Sequence, residues 1–240
     1  MATAAIVTIG NELLSGDVAN TNGSWLAKRL ESAGVIVRLL AVLPDEIETI
    51  AAFLRRHGPA VDWVVVTGGL GGTPDDVTRE AIAATFRVPQ VEFPELTAEL
   101  RARFTRNPDY VTPWARLPEG SRPLENPLGG APGFAVRNVY VLPGLPSEME
   151  AMYELVEAEL ALGAAPIGAW RRTYATTESR IVDVLLELER RHPTLRVGSY
   201  PTFGPDGSTV EVVLKSADPA ELAAASSWAE TALAEAVAGV

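Results

Sequence analysis

A glycine-rich turn between a strand and a helix constrains this chain more than any other stretch. Residues 67–78 read TGGLGGTPDDVT and directly follow the apolar run Val64–Val66. Four glycines in five positions let the backbone bend sharply and lie close to a ligand. The helix expected from about Asp76 offers unpaired N–H groups and the positive end of its dipole, and both favour a phosphate. The sequence therefore predicts a site for a phosphorylated small molecule.

The residue composition restricts the chemistry of that site. The chain has no cysteine and only two histidines, His57 and His192, so disulfides, thiolate zinc sites and histidine-rich metal sites are excluded. Asp75 and Asp76 beside an anion site are consistent with a divalent metal that bridges them to phosphate oxygens. A hard ion held by oxygen, such as magnesium or manganese, is therefore the metal that we expect.

Charge and hydropathy restrict the partners. The formal net charge of −11 argues against a general nucleic-acid or anionic-membrane partner. No apolar run approaches the roughly 18 residues of a membrane span, and the start lacks the basic segment of a signal peptide. We expect a cytoplasmic protein.

Strand and helix signals alternate through the first two thirds of the sequence, which predicts an α/β domain with a mostly parallel sheet and helices on both faces. The predicted strands are Ala4–Ile9, Val35–Val42, Val61–Val66 and Val139–Leu142. Asp45 and Glu48 form a capping-box pattern that predicts a helix start. The stretch Asn107–Gly133 is rich in proline and glycine and is expected to be a loop or an irregular strand, and a loop of this length is usually functional.

A smaller α+β domain follows a linker at Gly163–Gly168 and has the pattern βαββα. The expected domains are residues 1–165 and 169–240. Gly204-Pro205-Asp206-Gly207 fits the GxxG pattern of KH modules, but it joins two predicted strands and lacks flanking basic residues. We therefore expect a β-turn there and no nucleic-acid binding.

Four ordered motifs resemble the CinA (competence/damage-inducible protein A) family. They are Ile9–Gly16, Thr67–Thr78, Ala131–Phe134 and Leu142–Met149. The first domain resembles the three-layer molybdopterin-binding fold shared with MoaB and MogA proteins, and Arg171–Val240 is similar to a KH-like domain. Family members often carry proline at the position of Gly72 and threonine at that of Gly130. The sequence ends before the amidase domain of long CinA proteins, so that activity is not expected of it.

The resemblance implies a function in nucleotide chemistry. CinA N-terminal regions are associated with metal-dependent hydrolysis of ADP-ribose, with magnesium, manganese or cobalt as the expected ion. The related domain of eukaryotic FAD synthases is linked with FAD hydrolysis, whereas MogA-like proteins bind molybdopterin and adenylylate it. A pyrophosphatase is therefore the first hypothesis, and a molybdopterin or nucleotide binding module without turnover is the second. A non-catalytic interaction protein is the third, and a homo-oligomer, dimer or trimer, is expected.

The candidate site residues follow from the resemblance and from the loops at the carboxyl ends of the strands, which form the binding crevice of an open α/β sheet. The loop after the first strand, with Glu12 and Asp17, is therefore expected to meet the glycine-rich turn. Asp76 aligns with the catalytic acidic residue of MogA-like proteins, and Asp75 and Glu12 are the other predicted catalytic carboxylates. The predicted metal ligands are Asp17, Asp76 and Glu148. The predicted ligand- or phosphate-binding residues are Gly10, Asn20, Thr67, Gly68, Gly69, Gly71, Thr73, Thr78, Gly133, Pro143, Gly144 and Ser147.

Several of these residues also have a purely structural interpretation. Aspartate is favoured at a helix start on dipole grounds alone, which applies to Asp75 and Asp76. Asn20 is equally a helix cap, and Glu148 an ordinary first-turn residue. Asn126 and Gly130–Gly133 are either a lid over the ligand or an irregular connection. Trp114 is the one tryptophan in the long loop and therefore the one with a possible ligand contact.

Overall fold

The fold is built around a six-stranded sheet in the first of two units. The computed structural model describes residues 2–106, 108–205 and 207–239, and it divides into one unit up to Ala164 and another from Ala165. The strands of the first unit are β1 (Thr3–Ile9), β2 (Ile36–Leu43), β3 (Trp63–Thr67), β4 (Gln90–Glu92), β5 (Arg116–Pro118), β6 (Arg122–Leu124), β7 (Gly133–Val136) and β8 (Val139–Leu142). Its α-helices are α1 (Asn11–Ser15), α2 (Thr21–Ser32), α3 (Ile47–His57), α4 (Thr78–Phe86), α5 (Pro94–Arg103) and α6 (Pro146–Leu160).

The strand order of the main sheet places a crevice beside β1. The order is β2-β1-β3-β8-β7-β6, in which the first four strands are parallel, β7 pairs antiparallel with β8, and β6 pairs antiparallel with β7. The chain moves to one side of β1 to form β2 and then crosses to the other side to form β3. Ligands of open α/β sheets bind at such a switch point, outside the carboxyl ends of the strands.

Helices cover both faces of this sheet. In β1, Ala4 and Ile6 pack in the core that contains α2 and α6, whereas Ala5 and Val7 pack in the core that contains α3, α4 and α5. A strand buried on both faces reads as a continuous apolar run, as β1 and β3 do. The expected three-layer, mostly parallel fold is confirmed.

Regular structure occurs in the expected loop after the first strand and in the stretch expected to be a loop or an irregular strand. The segment after β1 forms the short helix α1, and residues 108–133 contain a 3-10 turn at Thr112–Ala115 together with β5 and β6. Asn107, the first residue of the predicted loop, lies outside the described residues. β5 pairs with β4, and β6 forms the edge of the main sheet. Proline is tolerated in edge strands, so Pro118 in β5 and Pro123 in β6 agree with the irregular strand that the sequence left open.

The second unit has the predicted order βαββα. Its elements are β9 (Gly168–Tyr174), α7 (Glu178–Arg191), β10 (Arg196–Gly204), β11 (Gly207–Ser216) and α8 (Pro219–Ala238). The strands form an antiparallel sheet in the order β10-β11-β9, and α7 and α8 share one hydrophobic core with it. Gly204 pairs with Gly207 at the end of the β10–β11 hairpin, and Asp206 between them lies outside the described residues. Within the described ranges, no helix is both long and apolar enough to span a membrane.

Candidate functional site

A cavity of about 630 Å³ opens at the carboxyl ends of the parallel strands. It is lined by the segments that follow β1, β2, β3 and β8. The β1 and β3 segments meet closely because Gly68, at φ 106°, lies directly against the carbonyl of Ile9. The sequence-based expectation that these two loops meet is therefore confirmed.

Thr78 holds the first part of the glycine-rich loop from behind. Its buried hydroxyl donates to the carbonyl of Gly68 at 2.8 Å, and its backbone N–H donates to the carbonyl of Gly69 at 3.2 Å. Thr78 is not among the cavity-lining residues. Its predicted contact with a phosphate is thus replaced by a role in shaping the loop.

Arg79 holds the next part of the loop in the same way. Its Nη1 donates to the carbonyl of Leu70 at 2.9 Å and its Nη2 to the carbonyl of Gly71 at 2.7 Å. The side chain is only 3% exposed, and burial lowers its pKa, against the opposing effect of the nearby charges of Glu80 and Asp76. A fully buried arginine is rare unless it is paired, so this charge beneath the loop is notable. Sequence analysis did not single out Arg79.

The free N–H groups of the loop consequently face the cavity. The carbonyls of Gly68 and Gly69 point toward Thr78, away from the cavity, and a trans peptide directs the following N–H the opposite way. Those donors are the N–H groups of Gly69 and Leu70. No acceptor among the described residues contacts them. Two adjacent unpaired amides beside a cavity form an anion-binding concavity.

Asp76 organises the same loop through both of its carboxylate oxygens. Oδ1 accepts the N–H of Gly71 at 2.7 Å, and Oδ2 accepts the N–H and the hydroxyl of Thr73 at 2.8 and 2.5 Å. This turn delays the start of α4 to Thr78, two residues later than expected. Asp76 lines the cavity, but Thr73 does not. The structure thus gives Asp76 a positioning role, and its predicted catalytic role stays a prediction.

Four of the carboxylates that line the cavity form an acidic wall: Glu12, Asp45, Asp75 and Asp76. Sequence analysis misread one of them, Asp45. Asp45 accepts the N–H of Asn11 at 2.8 Å and lines the cavity. Burial is the first cause that raises its pKa above the ordinary 3.8; the Asn11 N–H opposes the rise, and the charges of Glu12, Asp75 and Asp76 add to it. Asp45 therefore lies close enough to the other three carboxylates for their charges to act on it.

The expected capping box at Asp45 is wrong. Helix α3 begins at Ile47 and has Glu46 at its N-cap position, where the Glu46 carboxylate accepts the hydroxyl of Thr49. Asp45 instead reaches across to the start of α1. Its position just after β2 was a signal that could have identified it as a site residue, because the loops after other parallel strands were assigned to the crevice on that ground.

Two asparagines connect the strand ends around the cavity. Asn20 caps α2 by accepting the N–H of Gly23 at 2.9 Å and donates to Thr8 at 2.9 Å, so its structural interpretation holds. Asn22 donates to the hydroxyl of Thr67 at 3.1 Å and to the carbonyl of Gly144 at 2.8 Å. Both asparagines line the cavity, and Asn22 was not among the predicted site residues.

The loop after β8 closes the remaining side. Pro143, Gly144 and Glu148 line the cavity. Thr67 donates to the carbonyl of Pro143 at 2.6 Å, and the carboxylate of Glu148 accepts the amide of Asn126 at 2.9 Å. Asn126 thus belongs to a connection that folds back onto the start of α6.

Not every predicted site residue reaches this cavity. Gly10, Asn20, Thr67, Gly68, Gly69, Gly71, Pro143 and Gly144 line it, as do Glu12, Asp75, Asp76 and Glu148. Thr73, Thr78, Ser147, Asp17 and Gly133 do not. Gly133 lies inside β7 against the carbonyl of Val141, where the tight backbone approach, rather than a ligand, requires glycine.

The predicted metal set Asp17, Asp76 and Glu148 is not assembled. Asp17 accepts the hydroxyl of Ser15 at 2.6 Å and lies outside the cavity lining. Within the described ranges, no three His, Cys, Asp or Glu side chains converge to hold a metal. The lining does fit the commoner arrangement in which Mg²⁺ takes one or two carboxylates and completes its shell with water and phosphate. Glu12 and Asp75 offer those oxygens.

Comparison with known proteins identifies the relatives of both units. Residues 5–161 match the family described as probable molybdopterin binding domain. A protein of Archaeoglobus fulgidus is 39% identical over 83% of this chain and 86% of its own length. A CinA-like protein of Parasynechococcus marenigrum is 35% identical over 95% of this chain and 55% of its own length. This chain thus spans about half of that relative.

A solved structure agrees with these matches. The crystal structure of the protein CinA with unknown function from Thermoplasma acidophilum is 33% identical, with a TM-score of 0.62 over 66% of this chain and 98% of that chain. Residues 173–239 match the family described as FAD synthase, middle domain, so the expected KH-like domain is wrong. That prediction rested on the resemblance of Arg171–Val240, with the motifs Gly198–Pro201 and Phe203–Gly207, to the domain that follows in CinA proteins. The βαββα order is compatible with either type of domain.

Proposed function

This chain belongs to the family of the probable molybdopterin binding domain and to the CinA-like proteins, and from that premise we propose that its cavity binds and hydrolyses a nucleotide pyrophosphate of the ADP-ribose type with a divalent cation. The pair of unpaired N–H groups at Gly69 and Leu70 carries this proposal. They face a cavity whose described lining holds several carboxylates but no lysine or arginine.

That electrostatic arrangement selects for an anion accompanied by a cation. A pyrophosphate alone is repelled by Glu12, Asp45 and Asp75. The two amides and the buried charge of Arg79 therefore need an additional positive charge to hold it. A bound divalent ion supplies that neutralisation and polarises the phosphoryl oxygens. The amides of Gly69 and Leu70 orient the phosphate without adding a basic side chain.

Asp45 is the carboxylate best suited to accept a proton. Its Oδ2 is held by the N–H of Asn11, which fixes the group in the lining, and its raised pKa makes it the stronger base. In the proposed step, a water oxygen attacks one phosphorus atom while the bridging P–O bond breaks. The water proton passes to Asp45, and the bridging oxygen leaves on the other phosphate. For ADP-ribose the products are AMP and ribose 5-phosphate.

The experiment is a product assay. The purified protein is incubated with ADP-ribose, FAD, NAD and dinucleoside polyphosphates, each with magnesium, manganese or cobalt, and the products are separated. We expect metal-dependent release of AMP that is lost in Asp45→Asn and kept in Glu46→Gln. Glu46 is a matched control because it is the neighbouring carboxylate, is exposed and lies outside the cavity lining.

A binding module without turnover is the second candidate. The observation that favours it is the engagement of Asp76 and Glu148 with protein donors, together with the absence of a three-ligand cluster among the described residues. Ligand binding without product would support this candidate, including binding of a pterin phosphate detected by fluorescence. Absence of both binding and turnover would overturn both proposals.

A further inference from the structure

We propose that Tyr110 selects the ligand by stacking against a flat aromatic ring, so that the ligand is a ring-bearing phosphate ester rather than a sugar phosphate or inorganic pyrophosphate. This inference rests on the proposed phosphate site at Gly69 and Leu70. It assigns the other end of the ligand to a residue that sequence analysis did not name.

Tyr110 presents a large aromatic surface to the cavity. It lines the cavity and is 44% exposed. The ring is supported at its edge by Trp114, with centroids 5.7 Å apart and an interplanar angle of 66°. Trp114 is 6% exposed and packs in turn against Phe104 at 5.3 Å and 85°. Buried Trp114, itself packed against partly buried Phe104, thus supports Tyr110 on one side, while much of the residue stays open.

Gly72 makes room for this position of the ring. A Cβ atom at residue 72 would lie 2.7 Å from Cε2 and Cζ of Tyr110 and 3.1 Å from its hydroxyl. Gly72 is not among the glycines with positive φ, so its backbone accepts any L-residue. The steric requirement for glycine at this position is therefore the tyrosine ring, and a larger residue would displace it.

The cavity also has room for more than a phosphate group. Its volume of about 630 Å³ is in the range that holds a whole small-molecule ligand. The glycine loop offers its amides at one wall, and Tyr110 offers the ring surface next to the same loop through Gly72. Stacking suits any flat base, because each has a π-face, and it does not need hydrogen-bond readout.

Binding measurements on Tyr110 variants test this inference. Calorimetry with ADP-ribose and with inorganic pyrophosphate, each with magnesium, is carried out in the Asp45→Asn background, in which no turnover is expected. That protein serves as the parent here and is compared with Tyr110→Ala and Tyr110→Phe in the same background. We expect Tyr110→Ala to weaken ADP-ribose about 5- to 100-fold and to leave pyrophosphate unchanged. Tyr110→Phe should bind both as the parent does. Tyr200→Ala is the matched control, since Tyr200 is 54% exposed and belongs to the second unit.

Gly72→Ala provides an independent test of the role of Tyr110. Its backbone tolerates alanine, so the variant should fold, while the added methyl displaces the Tyr110 ring. We expect weaker ADP-ribose binding in the parent background and no further loss when Gly72→Ala is added to Tyr110→Ala. Equal ADP-ribose affinity of Tyr110→Ala and the parent would overturn the role of Tyr110. Failure of the parent to bind pyrophosphate would instead overturn the phosphate site, so the two failures are distinguishable.

Discussion

The loops after β3 and β8 carry the same sequence signal, yet the structure uses them differently. Each has a buried strand, a glycine and a helix start, and each was expected to receive an anion. In the β3 loop, Thr78 and Arg79 donate hydrogen bonds to the four successive carbonyls of residues 68–71. The amides of Gly69 and Leu70 are thereby left for a ligand.

The β8 loop is instead tied to its neighbours. The carbonyls of Pro143 and Gly144 accept from Thr67 and Asn22, and Pro143 and Pro146 have no N–H to offer. A strand–glycine–helix signal therefore does not by itself give an anion site. The two loops differ in which of their carbonyls accept hydrogen bonds and in the side from which the donors approach.

The same substitution in each loop should give the largest contrast. Gly68 has φ 106° and lies against the carbonyl of Ile9, so Gly68→Ala combines backbone strain with a clash against main chain. We expect a loss of about 4 kcal/mol in unfolding free energy. Gly144→Ala should cost less than about 0.5 kcal/mol, because its Cβ would meet only the Cα of Gly68 at an ordinary 3.4 Å.

Urea denaturation of both variants measures that contrast. Similar stabilities for Gly68→Ala and Gly144→Ala would contradict the proposed difference between the loops, because that difference requires close backbone packing at Gly68 and not at Gly144.

Removal of the buried arginine should give the next largest effect. Arg79→Met removes two charged donors and leaves the carbonyls of Leu70 and Gly71 unsatisfied. We expect a loss of about 2–3 kcal/mol in unfolding free energy and, in addition, weaker binding of pyrophosphate. Arg55→Met is the matched control, because Arg55 also donates to a backbone carbonyl, that of Ala84, but on the surface.

Chemical denaturation and calorimetry check this pair of variants. A variant Arg79→Met that is destabilised but binds pyrophosphate with parental affinity would show that the loop keeps its amides in place without the arginine.

Neutralising Asp76 should give an intermediate effect on both stability and binding. In Asp76→Asn, an NH₂ group replaces one of the oxygens that accept from Gly71 and Thr73, so donors face a donor. We expect a loss of about 1–2 kcal/mol in unfolding free energy. Ligand affinity should fall as well, whereas a purely catalytic residue would lose turnover alone. Glu148→Gln serves as the counterpart in the β8 loop, and the measurements are again denaturation and calorimetry.

The sequence was sufficient for the parts of the fold that depend on local patterns. Apolar runs and helix starts located the parallel strands, and the expectation of a three-layer sheet is confirmed. The glycine-rich loop and the acidic residues Glu12 and Asp75 were assigned to one crevice, and they do line one cavity. The cytoplasmic location and the homo-oligomer stay predictions.

The rest depended on contacts between distant segments. Tyr110 meets the glycine loop only because the 3-10 turn and β5 fold back over α4 and α5, and proline-rich sequence concealed that structure. Asn22 bridges two strands that are separated by many residues along the chain. The position of Arg79 is one residue inside a helix, where a buried charge is not the default expectation. None of these contacts has a local periodicity that reveals it.

The smallest expected effect is electrostatic. It concerns Asp45, because carboxylates of the β3 loop act on its pKa. Burial raises its pKa above 3.8, and the charges of Glu12, Asp75 and Asp76 add to that rise. A carboxyl group whose pKa is raised by folding favours its protonated form in the native state. Its destabilising effect is therefore absent below pH 3.8 and appears as the pH rises through the native pKa.

Asp45→Asn removes that effect while its amide oxygen still accepts the N–H of Asn11. We expect the variant to match the parent in unfolding free energy below pH 3.8 and to exceed it at neutral pH. Asp75→Asn should lower the pKa of Asp45 toward its ordinary value, and Glu148→Gln should change it less. Urea denaturation between about pH 3 and 7 and an NMR titration of Asp45 measure both effects. A parent that becomes more stable than Asp45→Asn as the pH rises would contradict the sign and would mean that a favourable partner of the Asp45 carboxylate outweighs the acidic wall.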